Sequence, residues 1–191
     1  MDTSPPFKPV LERAARPPSS AKIPGFDSKM MTVAGVRLHY WIAGDPDGMP
    51  VVLWHGFLST GYGWRDVAPA LVKAGHSVLI PDMRGYGDSE KPAGNDGYDA
   101  RALADECRTL AGAIGFGRGK KLIHAAHDMG ALPALIWCAD HSDEAAGLLY
   151  IEAPVMLGPV LRQVFSYTPQ AMVQGLCGGG FCRSHPACRS V

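Results

Sequence analysis

Neither sign of charge prevails in this 191-residue chain: 18 Lys and Arg stand against 18 Asp and Glu, and only 19% of the residues are charged. A neutral chain has no electrostatic footprint for nucleic acid or an anionic membrane, so neither is an expected partner. No apolar run reaches the roughly 18 residues that a membrane span needs. The start, Met1-Asp2-Thr3-Ser4-Pro5-Pro6, lacks a basic patch followed by an apolar stretch. No secretory signal is therefore expected, and a cytoplasmic location follows. Disorder is excluded as the main state, because 47% of the residues are hydrophobic and no net charge opposes collapse. The length has room for one domain with a sizeable core.

Glycine (23) and proline (16) are abundant and gather in turns and at both ends. Cysteine usage is uneven: Cys107 and Cys138 lie inside apolar helical patterns and read as small core residues, whereas Cys177, Cys182 and Cys188 crowd the end of the chain. The last three form, with His185, a Cys-x4-Cys-x2-His-x2-Cys run whose spacing matches no common zinc module, so neither metal nor cofactor is expected.

Residues 1–28 read as an extended Pro-rich leader, with room only for a short helix over 10–15. Two β-type runs, 30–33 and 36–42, flank Ala34-Gly35 and predict a hairpin. Asp45-Pro46-Asp47-Gly48 is a turn. The continuous apolar run 51–54 predicts a strand buried on both faces. Trp64, Val67, Leu71 and Val72 follow a helical period over 61–74, with Gly75 as the stop. Further strands are expected at 77–80, 122–126 and 148–151, and further helices at 98–115 and 130–141. Such alternation predicts an α/β fold, a mostly parallel sheet with helices on both faces.

In such sheets, function gathers beyond the carboxyl ends of the strands. The segments found there are His55-Gly56-Phe57-Leu58, then Pro81-Asp82-Met83-Arg84-Gly85-Tyr86-Gly87-Asp88-Ser89, then His127-Asp128-Met129-Gly130, and Glu152-Ala153-Pro154. Ala126 and Gly130 bracket Asp128 in the small-x-x-x-small pattern of a nucleophile elbow, a strand-to-helix turn that throws its central side chain clear of the backbone. A carboxylate at that place needs no base to attack an sp³ carbon and form an ester. The Phe57 and Met129 N–H groups are suited to stabilise the oxyanion when that ester is hydrolysed. The same Asp could instead be a helix N-cap. Glu152 could instead be a plain polar strand end, His127 and His55 structural hydrogen-bonded residues, and His124 a satisfied core histidine. Asp82 and Arg84 are expected to brace their loop.

These segments, with Trp64-Arg65 and Lys91-Pro92, resemble the α/β-hydrolase superfamily over about residues 30–157. The resemblance is to its aspartate-nucleophile branch of epoxide hydrolases, haloalkane dehalogenases and fluoroacetate dehalogenases. It implies Asp128 as nucleophile, Phe57 and Met129 as backbone oxyanion donors, and His55 and Gly56 as their supporting loop. Glu152 is the candidate carboxylate that orients a water-activating histidine. Haloalkane dehalogenases carry Asn where Phe57 stands and Trp where Met129 stands, and fluoroacetate dehalogenases carry Arg at Met129. Epoxide hydrolases tolerate an apolar residue there, but usually carry Pro in place of Leu58. The expected substrate is a small apolar electrophile, an epoxide first and an alkyl halide second. Tyr167 is a candidate epoxide-activating tyrosine.

The resemblance divides the chain into the leader (1–28), the N-terminal part of the hydrolase core (29–157), the start of a cap (158–175) and an atypical Gly/Cys-rich tail (176–191). It places two more strands and the catalytic histidine after the cap, and none of the seven histidines here follows such a strand. One permitted set of codons from Cys177 onward reads, in another frame, like cap sequence. The expectation is a frameshifted chain whose C-terminal strands are missing, which lacks turnover and leaves an apolar sheet edge open to self-association. A non-catalytic fragment acting only through association is the alternative outside enzymes.

Overall fold

A computed structural model of the chain describes residues 21–153. The leader before residue 21, the cap, the cysteine-rich tail and Tyr167 lie outside the described residues. Strands β1 (Asp27–Val33) and β2 (Val36–Gly44) form the expected hairpin. Its turn residues Ala34 and Gly35 both have positive φ, 47° and 85°, which matches the right-handed twist of the flanking strands. At Asp45 the backbone carbonyl accepts from Gly48 N–H and the side chain from Asp47 N–H, both at 2.9 Å, closing the predicted turn.

Then follow β3 (Pro50–Trp54), α1 (Ala68–Lys73), β4 (Ser77–Pro81), α2 (Ala100–Ala113), β5 (Leu122–His127), α3 (Ala131–Asp140) and β6 (Ala145–Ile151). The sheet order is β1-β2-β4-β3-β5-β6. Strands β4, β3, β5 and β6 run parallel, while β1 and β2 are antiparallel additions at one side. Every residue of β3 is buried. Val52 and Trp54 face a core with Cys107 and Leu110 of α2 and Ala134 and Trp137 of α3. Val51 and Leu53 face the opposite core with Ala68, Leu71 and Val72 of α1. Helices therefore cover both faces, as the alternating pattern required.

One expected helix is divided. Instead of a single element over 61–74, a 3-10 turn (Gly61–Trp64), capped by Thr60, precedes the six-residue α1. One cause is distant in sequence and one local. Gly61 N–H is drawn 2.6 Å from Asp82 Oδ1, and Pro69 has no N–H, so it suits the first turn of a helix but not an interior. Helix α2 begins where Asp99 accepts from the N–H groups of Arg101 and Ala102, both at 3.0 Å. Cys107 is buried as expected, but Cys138 is only half-buried. Among the described residues, no helix is long and apolar enough to cross a membrane and no cluster of metal-ligating side chains occurs.

Candidate active site

The strand ends named from the sequence converge at one edge of the sheet. Asp128 follows β5 with φ 48°, a left-handed conformation that L-residues adopt only under constraint. It opens a 3-10 turn, Asp128–Gly130, that runs into α3. Its carboxylate does not cap this helix. Oδ2 instead accepts from the backbone N–H of Phe57, in the loop after β3, at 2.8 Å.

The turn closes because two glycines leave room. A Cβ on Gly130 would lie 2.3 Å from the His55 carbonyl oxygen, and one on Gly56 would lie 2.8 Å from Asp128 Cβ. Gly130 has an ordinary helical φ of −67°, so close approach, not backbone freedom, requires glycine there. Ala126, the other small residue of the elbow, is fully buried.

The supporting loop is fixed by His55, which is 1% exposed. Its Nδ1–H donates to the Gly56 carbonyl at 2.9 Å, and its Nε2 accepts from Met83 N–H at 3.1 Å. Burial pushes its pKa down, against the pull of Gly56 and Asp82, so the neutral ring is retained. The neighbouring Leu58 has φ 55° and is 82% exposed. Proline, locked near −65°, has no access to that conformation, so this turn differs from one built on proline.

Met129 follows Asp128 in the same turn and is half-buried. Glu152 stands beyond β6 with φ 46° and an 85% exposed side chain. Its Oε2 lies 3.7 Å from Nε2 of His127. His127 thus differs from its expected role: its ring faces Glu152 and makes no hydrogen bond among the described residues. His124 is fully buried but only half satisfied. Nδ1 accepts from Trp54 Nε1–H at 3.1 Å, while Nε2 has no partner among the described residues.

Asp82 and Arg84 brace their loop as expected. Asp82 accepts from Gly61 N–H, from Asp88 N–H at 3.0 Å and from His39. Arg84 pairs with Glu106 and donates to the Asp96 carbonyl. Tyr86 is the neighbour that sequence reasoning passed over. Its ring lies 5.0 Å from that of His55, and burial together with the Asp128 charge pushes its hydroxyl up to about 12. Its only sequence signal was membership of the loop after β4.

A model of the alpha/beta hydrolase fold family matches residues 49–181. The chain is 35% identical over 130 residues to epoxide hydrolase A of Mycobacterium tuberculosis, covering 67% of this chain and 39% of that protein. It is 38% identical over 120 residues to a soluble epoxide hydrolase of a Corynebacterium species, covering 63% and 39%. The crystal structure of epoxide hydrolase A from Mycobacterium thermoresistibile superposes with a TM-score of 0.64 at 31% identity, over 80% of this chain and 45% of that one. The chain spans about two fifths of the length of the curated relatives it matches. With its strand order, its tight turn after β5 and these similarities, the chain belongs to the alpha/beta hydrolase fold family.

Proposed function

We propose that the site is of epoxide hydrolase type, with Asp128 as nucleophile. The observation that carries this is the hydrogen bond from Phe57 N–H to Asp128 Oδ2, formed at a residue held at φ 48°. With Oδ2 held, Oδ1 is the oxygen left to attack. It opens the epoxide at carbon, the ring C–O bond breaks, and a hydroxyalkyl ester forms once the alkoxide takes a proton. Oδ2 becomes the ester carbonyl oxygen, already on the donor that stabilises negative charge when water attacks, and Met129 N–H is the second donor. Tyr167, the candidate donor of that proton, lies outside the described residues. An alkyl halide would suit the same attack, but neither Phe57 nor Met129 has a side chain that donates to a departing halide.

Among the described residues no histidine is hydrogen-bonded to Asp128, and on that ground the ester is expected to persist. His39 is bonded to Asp82 and Ser28, His55 to Gly56 and Met83, and His124 is buried beneath Trp54. His127 Nδ1 and Asp128 Oδ2 both border Gly56, each within 3.0 Å of where a Cβ there would stand, but the His127 ring is turned to Glu152 and makes no hydrogen bond to Asp128 among the described residues. Glu152, the carboxylate we assign to orient a base, meets His127 among the described residues. Intact-mass spectrometry of the folded chain after an aryl epoxide tests the reading. One stable adduct on Asp128 is expected. Labelling by a haloalkane alone would move the site to the dehalogenase branch, and sustained diol release would refute the stalled ester.

A non-catalytic reading has one observation in its favour. Leu149 on β6 is 58% exposed, and among the described residues β6 has no partner on its outer side. Concentration-dependent association that Leu149→Lys abolishes, with no adduct on Asp128, would favour that reading.

A further inference from the structure

Three residues at the other side of the sheet form a hydrogen-bonded row that the Asp128 site does not use. Asp82 Oδ2 lies 2.8 Å from His39 Nδ1, and His39 Nε2 lies 2.8 Å from Ser28 Oγ. The direction of each bond follows from the groups. Burial pushes the Asp82 carboxyl up, but the bonds from His39, Asp88 and Gly61 outweigh it and hold it below the ordinary carboxylate range. An ionised carboxylate only accepts, so His39 Nδ1 carries the proton. In the neutral ring Nε2 is then the lone-pair nitrogen, to which the Ser28 hydroxyl donates. This is the order of groups that activates a serine, with nucleophile, base and orienting acid in line.

Its setting fits that chemistry. The side chains of His39 and Asp82 are each 3% exposed, so the pair is shielded from water. Ser28 is exposed on β1 and open to a reagent. The Trp41 ring stands edge-on to His39 at 5.0 Å and 90°, which holds the imidazole plane. Backbone pairing of Met30 with His39 and of Ser28 with Trp41 puts all four side chains on one face. Met30, 40% exposed, gives a short acyl chain an apolar surface beside the hydroxyl. Among the described residues, β1 has no strand on its outer side, where every second backbone N–H is of the type an oxyanion needs.

We propose that Ser28 is an acyl-accepting nucleophile, activated by His39 and oriented through Asp82, that takes small activated carboxylic esters and organophosphonates. Ser28 Oγ attacks the carbonyl carbon and its proton passes to His39 Nε2. The bond to the leaving oxygen breaks, and His39 returns the proton to that oxygen, leaving O-acyl-Ser28 and a free alcohol. Water then adds to the acyl carbon while His39 takes its proton, and Ser28 departs as the hydroxyl with that proton, releasing the acid.

The test is labelling of the full 191-residue chain with a fluorophosphonate, read by peptide mapping at Ser28. General-base assistance of the usual size predicts labelling about 100-fold or more faster in the folded chain than in urea. Ser28→Ala is expected to fold, with a melting temperature lowered by the loss of the partner of His39 Nε2, and to lose the label. Equal rates in folded and unfolded chain, or a label that survives Ser28→Ala, would overturn the proposal.

Discussion

Phe57 and Asp128, 71 positions apart in sequence, are joined by one hydrogen bond of 2.8 Å between a backbone N–H and a carboxylate oxygen. Everything proposed for the site depends on that bond being in place before any substrate arrives.

Asp128→Asn separates fold from chemistry. Asn tolerates a positive φ and keeps an oxygen for Phe57 N–H, so stability should change by no more than about 0.5 kcal/mol. The covalent adduct with an aryl epoxide should vanish. Denaturant titration and intact mass, run on the same preparation, check both halves.

Gly130→Ala should affect fold and chemistry together. Its Cβ would fall 2.3 Å from the His55 carbonyl oxygen, a backbone atom that has no free rotation to yield. Either α3 shifts or the His55 loop does, at a cost of about 2 kcal/mol or more. Urea unfolding reads the loss, and the adduct on Asp128 should form more slowly even where the chain stays folded.

Leu58 offers a paired test. Its side chain is mostly in water, so Leu58→Gly loses little packing and relieves a left-handed backbone, for a gain of about 1 kcal/mol. Leu58→Pro demands a φ near −65° and should destabilise the chain and disturb Phe57 N–H. A higher melting temperature for the proline variant would show that the turn has another conformation.

Stability should fall with acid because of His124. Burial lowers its pKa to about 4 in the folded chain, whereas an unfolded histidine titrates near 6.5. The unfolded state therefore takes up the proton first. Stability is full above pH 6.5 and declines down to about pH 4, by roughly 3 kcal/mol in all. Glu144, held at about 2 chiefly by its bond with Arg108, adds a further loss as pH falls from about 4.5 to about 2. Replacing His124 with Gln should remove its share of the slope between pH 6.5 and 4 in denaturant titrations and leave that of His55, whose pKa burial also lowers; an unchanged slope would assign the whole loss to other groups.

The strands could be read because burial leaves a local trace: 51–54 is apolar throughout since both its faces are covered. The division of 61–74 was legible only at Pro69; the atom that draws Gly61 N–H away belongs to Asp82, beyond the next strand. Asp128 was visible through its small neighbours, one of which is required by a contact with a distant carbonyl. The unpaired Nε2 of His124 and the encounter of Glu152 with His127 depend on what surrounds them in space. The row through Ser28 was hidden for a similar reason. It exists only in the register that sets Met30 against His39, and nothing in either strand alone specifies it.

The contact between Gly130 and the His55 carbonyl carries a consequence for how such a site can change over time. The gap between elbow and loop is set by main-chain atoms, and the donor facing Asp128 is itself main chain. Neither depends on the side chain at position 128. The frame is a socket, indifferent to which small nucleophile is seated in it, so a carboxylate, a hydroxyl or a thiol there would meet the same donor. Exchange of one reactive group for another then requires one codon and no rearrangement, whereas enlargement of either glycine closes the socket to all of them.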